Sequence, residues 1–111
     1  MIEFTVYRKD GIYRGIRCTG HAGYGEEGTD ILCAAVSALV TNTVNSIDLL
    51  TDDLVEDVEA EEGILKCSFP EGLSDRGALL MESLLLGLKQ IGEISDAETN
   101  ESYLRLIIQE E

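Results

Sequence analysis

The chain has 111 residues, and its 22 Asp and Glu against 8 Lys and Arg give a formal net charge of −14 at pH 7. With 44% hydrophobic residues, it can form one domain with an ordinary apolar core. The acidity argues against direct binding to nucleic-acid phosphates or anionic membranes, which requires clustered basic residues, and it favours basic partners.

The first third of the chain reads as a β-hairpin followed by a loop. Apolar and polar residues alternate over Ile2 to Tyr7, as in a half-buried strand. Asp10-Gly11 predicts the hairpin, because a type I′ turn needs positive φ at both central positions, and Ile12 to Thr19 is then the return strand. The four glycines within Gly20 to Thr29 predict a loop.

A long helix is predicted from Asp30 to about Leu50. Thr29 or Asp30 can cap it, because a short side-chain oxygen accepts hydrogen bonds from the free amides of the first turn. The helix is apolar nearly all round, which predicts burial on more than one side. Its longest apolar run, Ile31 to Val40, is half of the about 20 residues that span a bilayer, so we expect no membrane partner.

The second half of the chain contains another pair of strands, a second helix and a last strand. The strands Leu54 to Glu59 and Ile64 to Phe69 are joined by a predicted tight turn at Glu62-Gly63. The remaining predicted elements are a helix that is capped by Ser74, runs to about Ile91 and stops at Gly92, and a strand from Tyr103 to Ile108.

The order ββαββαβ predicts a single α+β domain over residues 1–111, with a mixed five-stranded sheet and two helices on one face. The helices carry more apolar surface than one sheet face can cover. A two-fold homodimer would cover the surplus, and deeper burial of the second helix in its own core is the alternative.

The three cysteines, Cys18, Cys33 and Cys67, include no C-x-x-C pair. This argues against a zinc site, and we predict neither a metal nor another cofactor. Scattered thiols in odd number fit a reduced, cytoplasmic protein, and the N-terminal M-I-E-F-T-V lacks the apolar segment of a signal peptide. Cys18 and Cys67 lie on predicted strands among apolar neighbours, where we expect buried and inert thiols.

One histidine and one cysteine flank the glycine-rich loop. Cys33 falls at the third position of the predicted helix, where unpaired amides and the positive end of the helix dipole favour a thiolate and can donate to an oxyanion. His21, 12 residues earlier, is within folding reach and can hold the thiolate as an ion pair and then protonate a leaving amine. A small core cysteine and a surface histidine are the alternatives.

Other residues near this pair are weaker candidates. Ser37 lies one turn beyond Cys33 on the same helix face, where it can line a pocket or pack in the core. Tyr24 can contact a substrate or be a mobile, exposed residue. Asp30 or one of two loop glutamates can orient the imidazole, although capping would use up Asp30.

The segment G-H-A at Gly20 to Ala22, followed by D-I-L-C-A-A-V-S at Asp30 to Ser37, resembles the signature of the ribosomal-processing cysteine protease family, called Prp. The order, spacing and residue types match the family, and the length, element order and acidity of the whole domain agree with it. Leu32 replaces the usual valine before the cysteine, which is a conservative change.

The resemblance implies a cytoplasmic, homodimeric endopeptidase that removes a short N-terminal extension from a large-subunit ribosomal protein, cutting between aromatic and basic sequence. It implies Cys33 as the nucleophile, His21 as its partner and Ala22 to Thr29 as a mobile lid, with Asp30 anchoring the junction of loop and helix. The positions that it places in the loop or at the substrate are Gly20, Ala22, Gly23, Tyr24, Gly25, Gly28, Asp30, Ala34 and Ser37.

Two hypotheses from different functional classes follow. A cysteine endopeptidase acting on a basic ribosomal protein precursor is favoured by His21, the loop and Cys33. A non-catalytic, acidic, homodimeric module that binds a basic ribosomal protein is the alternative, favoured by the net charge and the apolar helix. A peroxide-sensing or metal-binding thiol is disfavoured, because the sequence shows no resolving cysteine or ligand cluster near Cys33.

Overall fold

A computed structural model describes residues 1–20, 29–61, 63–93 and 102–111, with side chains of the first helix from residue 31 onward. The elements are β1 (Ile2–Lys9), β2 (Ile12–Thr19), α1 (Thr29–Leu50), β3 (Glu56–Glu61), β4 (Ile64–Ser68), α2 (Asp75–Gly92) and β5 (Leu104–Glu110). This is the predicted ββαββαβ order. The strands form one mixed five-stranded sheet in the order β3-β4-β2-β1-β5.

The first two strands form the antiparallel hairpin that Asp10-Gly11 predicts. Both turn residues have positive φ, 50° and 79°, as a type I′ turn requires. The register pairs Phe4 with Cys18 and Val6 with Ile16, so these four side chains share one face of the sheet. Because Phe4 and Val6 are fully buried and Ile16 is nearly so, this face of the sheet forms one side of the hydrophobic core.

The two sheet edges are formed by β5 and β3. β5 runs parallel to β1, with Ile2 opposite Leu104, whereas the other neighbouring strands are antiparallel. β3 begins at Glu56, two residues later than predicted. Asp57 has φ 53°, and the pairing with β4 shifts between Glu56 and Glu59. The positive φ marks a β-bulge, which Asp tolerates better than most residues and which the sequence did not indicate.

Helix α1 buries one face against the sheet. Its buried residues recur at three- and four-residue spacing: Val36, Val40, Thr43, Val44 and Ile47. On other sides Ile31 is 71% exposed and Leu49 is 78% exposed. The prediction that this helix is buried on more than one side is therefore wrong within a single chain, because its buried residues lie on one face, although α1 also contacts α2.

By length and composition, Ile31–Leu50 is apolar enough to cross a membrane, a test that core helices of soluble proteins also pass. The sequence run ending at Val40 underestimated this length, because the helix continues through small polar residues. Val36, Val40 and Ile47 are at most 1% exposed, so one face of this helix lies in the core.

Helix α2 is capped as predicted by Ser74, whose hydroxyl accepts a hydrogen bond from the Gly77 N–H at 3.3 Å. The sequence did not indicate that Asp53, before β3, accepts from the Ser74 amide at 3.1 Å and from its hydroxyl at 2.9 Å. At the other end Gly92 is the last helical residue and Glu93, in right-handed conformation, is the C-cap. The helix therefore stops at Gly92, as predicted.

Candidate active site

The strand that precedes His21 ends at a backbone position that suits only glycine. Gly20 has φ 92°, a value that L side chains rarely adopt. Its N–H donates to the Gly63 carbonyl oxygen, in the turn between β3 and β4, at 3.1 Å. A Cβ on Gly20 would overlap the carbonyl oxygen of Met1. Gly20 therefore fixes the end of β2, one residue before the candidate histidine.

The histidine and the predicted loop lie outside the described residues. The site residues concerned are His21, Ala22, Gly23, Tyr24, Gly25 and Gly28, together with the side chain of Asp30. Their roles stay predictions. Thr29 and Asp30 are the first two residues of α1, and the prediction that one of their side chains caps the helix lies outside the described residues.

Cys33 is the fifth residue of α1 and not the third. In an α-helix the first four amides lack a partner within the helix, and the fifth is the first to have one. The free amides therefore belong to residues 29–32, and Cys33 lies at the end of the turn that carries the positive dipole. Its side chain is half-buried against the core, while the neighbouring Ala34 is exposed.

A second thiol approaches Cys33 from the sheet. Cys18 lies on the core-facing side of β2 and packs, like Cys33, against the buried core. Burial raises the pKa of the Cys18 thiol to about 11, and the charge of Cys33 contributes to the rise. Burial alone raises the pKa of Cys67 to about 11. The alternation of β2 places Cys18 on the Ile16 face, but sequence reasoning could not show that α1 brings Cys33 there.

A cleft of about 270 Å³ opens between β2, α1 and the β3–β4 hairpin; we call it the Ser37 cleft. Its described lining is Cys18, Gly20, Ser37, Ala60, Glu61, Gly63, Ile64 and Leu65. Ser37 lies one helical turn beyond Cys33 on the same face of α1. Ser37 lines this cleft, its role toward a substrate stays a prediction, and Glu61 adds a negative charge.

A larger cavity of about 350 Å³ lies elsewhere, with Tyr7, Arg17 and Lys66 in its lining. These residues alternate with the core-facing Val6, Ile16 and Cys67, so the cavity is on the sheet face turned away from the helices. None of the predicted site residues lines it. Within residues 1–20, 29–61, 63–93 and 102–111, no three His, Cys, Asp or Glu are grouped to hold a metal ion.

Comparison with known proteins supports a thiol-dependent activity. A family model described as cysteine protease Prp matches residues 1–100. The ribosomal processing cysteine protease Prp of Bacillus subtilis strain 168 is 32% identical over 97 residues, covering 82% of this chain and 87% of that protein. The family-model match includes both the Gly20 strand end and the start of α1.

Solved structures agree with the fold. SMU.848 from Streptococcus mutans has 31% identity and a TM-score of 0.80, covering 100% of this chain and 99% of that one. The essential ribosomal processing protease Prp from S. aureus, in complex with a substrate peptide, has 29% identity and a TM-score of 0.80, with coverage of 98% and 100%. A second structure of that enzyme, with a covalently linked product peptide, has a TM-score of 0.76 at 28% identity.

Proposed function

This chain belongs to the Prp family of cysteine proteases, and we propose that it removes the short N-terminal extension of a large-subunit ribosomal protein precursor. In this proposal Cys33 is the nucleophile and His21 is its base and acid. The observation that carries the proposal is the position of Cys33, at the end of the first turn of α1 and one helical turn before Ser37, which lines the Ser37 cleft. The relatives' names as ribosomal processing proteases support the substrate class.

In the proposed reaction the Cys33 sulfur attacks the carbonyl carbon of the scissile peptide bond, and the carbonyl oxygen becomes negative. Free amides of the first turn of α1 donate to that oxygen. The His21 imidazolium protonates the leaving amine as the C–N bond breaks, which leaves a thioester on Cys33. His21 then takes a proton from water, whose oxygen attacks the thioester and releases the carboxylic acid. A covalently linked product peptide in the S. aureus relative suits such a mechanism.

The charge distribution supports a basic substrate segment. Glu61 lines the Ser37 cleft, and Glu56 and Asp57 are exposed on the same β3 strand. Glu59, in contrast, is 3.3 Å from the Lys66 ammonium. A peptide whose lysines or arginines follow the cut would approach this edge with a favourable potential, and the association rate would fall as salt rises.

The test compares Cys33→Ala and Cys33→Ser with the wild type on a precursor carrying its N-terminal extension. We expect both variants to lose cleavage by more than about 1,000-fold, because no attacking sulfur remains. Cys67→Ala is the matched control, since it removes another thiol of the core that the proposed mechanism does not use. Cleavage by Cys33→Ala at the wild-type rate would exclude Cys33 as the nucleophile.

The alternative, a non-catalytic module that binds a basic ribosomal protein, is favoured by the net charge of −14. Alkylation by iodoacetamide against pH separates the two functions. A nucleophile paired with His21 reacts at neutral pH, and His21→Ala shifts the profile upward. A Cys33 thiol that reacts only near its ordinary pKa of about 8.5, in a protein that still binds the precursor, would favour the binding module.

The exposed side of α1 supports a homodimer as part of the proposal. Between Asp30 and Asp48 this helix carries no charged residue, although 27% of the chain is charged. Two copies with a net charge of −14 each repel one another less when they approach along such an uncharged strip than along a charged surface. Leu39 is 38% exposed and Ala38 is exposed on it, so apolar contact is available.

Sedimentation of wild type and Ala38→Glu tests the dimer. We expect a dimer for the wild type and a monomer for the variant, because two new charges would be buried opposite each other. Val58→Glu, at a residue 58% exposed on β3, is the control and should leave the dimer intact. A monomeric wild type at micromolar concentration would refute this part of the proposal. The proposed site of action is the cytoplasm, where thiols stay reduced.

A further inference from the structure

Cys18 is a half-buried thiol that the proposed peptidase mechanism does not use. Its register partner on β1 is Phe4, which is fully buried under the helices, so the Cys18 side chain points to the helix layer. It lies one residue before the end of β2 and lines the Ser37 cleft. The thiol is therefore placed where the sheet faces the first two turns of α1.

Cys33 reaches the same region from the helix. It packs against the core cluster that Cys18 also contacts, and Ser37, one turn further along α1, shares the Ser37 cleft with Cys18. The charge of Cys33 acts on the Cys18 thiol and adds to the rise of its pKa. Cys67, whose strand partner is Ile16, shows no such interaction with Cys33. The fold thus brings together two of the three thiols.

We propose that Cys18 is the resolving cysteine of Cys33, so that oxidation of Cys33 by hydrogen peroxide ends in a reversible Cys18–Cys33 disulfide. The sequence disfavoured a peroxide-sensitive thiol because no second cysteine is near Cys33 along the chain; the packing of α1 on β2 supplies one. The disulfide would hold Cys33 inactive and keep it from irreversible oxidation.

The chemistry requires one two-electron oxidant and no cofactor. The Cys33 sulfur attacks one oxygen of hydrogen peroxide, the O–O bond breaks, and Cys33 becomes a sulfenic acid while hydroxide leaves. Deprotonated Cys18 then attacks the Cys33 sulfur, the S–O bond breaks, and a second hydroxide leaves. The two hydroxides take up the two thiol protons, so two thiols and one peroxide give one disulfide and two waters.

The high pKa of Cys18, about 11, sets the rate of the second step. At neutral pH only a small fraction of Cys18 is deprotonated, and this fraction rises about tenfold for each pH unit below the pKa. The lifetime of the Cys33 sulfenic acid should therefore shorten about tenfold between pH 7 and pH 8, as measured by trapping with dimedone.

Peptide mapping of the peroxide-treated full chain gives the direct test. Cleavage after glutamate separates the three cysteines into peptides 4–26, 28–56 and 63–71, whereas trypsin leaves Cys18 and Cys33 in one peptide. We expect peptides 4–26 and 28–56 to be joined, with a loss of about 2 Da and recovery on adding dithiothreitol. The readout is a mass, so it stands even if the proposed peptidase activity fails.

Cys18→Ala and Cys67→Ala are matched variants, since burial raises the pKa of both thiols to about 11. After peroxide treatment and then dithiothreitol, Cys67→Ala should regain Cys33 reactivity to within about twofold of its untreated level. Cys18→Ala should lose Cys33 reactivity by more than tenfold, because Cys33 is oxidised to sulfinic acid and its peptide becomes about 32 Da heavier. A wild-type Cys33 sulfenic acid that never joins Cys18, a disulfide between two copies, or equal behaviour of the two variants would overturn the proposal. Mapping of the wild type decides the matter even if Cys18→Ala does not fold.

Discussion

Gly20→Ala tests whether the end of β2 is held as the structure indicates. An L side chain at φ 92° costs about 1–2 kcal/mol relative to glycine. The new Cβ would also lie well inside 3.0 Å of the Met1 carbonyl oxygen. Displacing that backbone, which Ile2 anchors through its N–H to the Tyr103 carbonyl at 2.9 Å, costs about 1–3 kcal/mol more, as overpacking does. The expected total is about 2–5 kcal/mol.

Gly11→Ala is the matched control. Gly11 has φ 79°, and a Cβ there would meet nothing within 4 Å, so only the backbone cost of about 1–2 kcal/mol applies. Both variants restrict the unfolded chain equally, so that effect cancels in the comparison. In a domain of this size each kcal/mol lowers Tm by about 4 °C, so we expect losses of about 4–8 °C for Gly11→Ala and about 8–20 °C for Gly20→Ala.

Calorimetry measures both losses under the same conditions. The peptidase rate, measured well below either Tm, should fall for Gly20→Ala, because the substitution moves the backbone directly before His21. It should be unchanged for Gly11→Ala, which lies at the far end of the hairpin. Equal Tm values for the two variants would mean that the Met1 carbonyl does not confine Gly20, and the argument that this position is fixed would fail.

Three further predictions concern stability. Ser74→Ala removes the cap of α2 and should lower the unfolding free energy by about 1 kcal/mol in urea denaturation. Met81→Ala, at a fully buried position, should cost about 2–5 kcal/mol, whereas Leu79→Ala, 67% exposed, should cost well under half of that. Burial raises the folded-state pKa of Cys18 and Cys67 to about 11, so on raising the pH the unfolded chain loses these two protons first. The free energy of unfolding should therefore be constant below about pH 9 and fall as the pH rises toward 11. A variant with alanine at both Cys18 and Cys67 should flatten this decline.

The elements that sequence predicted best depend on local chemistry. Asp10-Gly11 specifies its turn through backbone preferences alone, and Ser74 specifies its cap through one side-chain oxygen. Prediction failed where distant segments meet. The bulge at Asp57 depends on pairing with β4, and the approach of Cys18 to Cys33 depends on how α1 packs on β2. Neither feature can be predicted from residue spacing, because separation along the chain does not show which strand or helix packs against which.

The parallel pairing of β1 with β5 has a consequence for how the chain acquires its structure. Ile2 pairs with Leu104, and along the same ladder Arg8 bonds to Glu110, 102 residues away. During synthesis the β1 edge of the β1–β2 hairpin therefore stays unpaired until β5 has been made. Contacts so distant in sequence form slowly, and an open strand edge invites pairing with other chains. Chaperones that cover this open strand edge should therefore matter most in that interval, before β5 leaves the translation machinery.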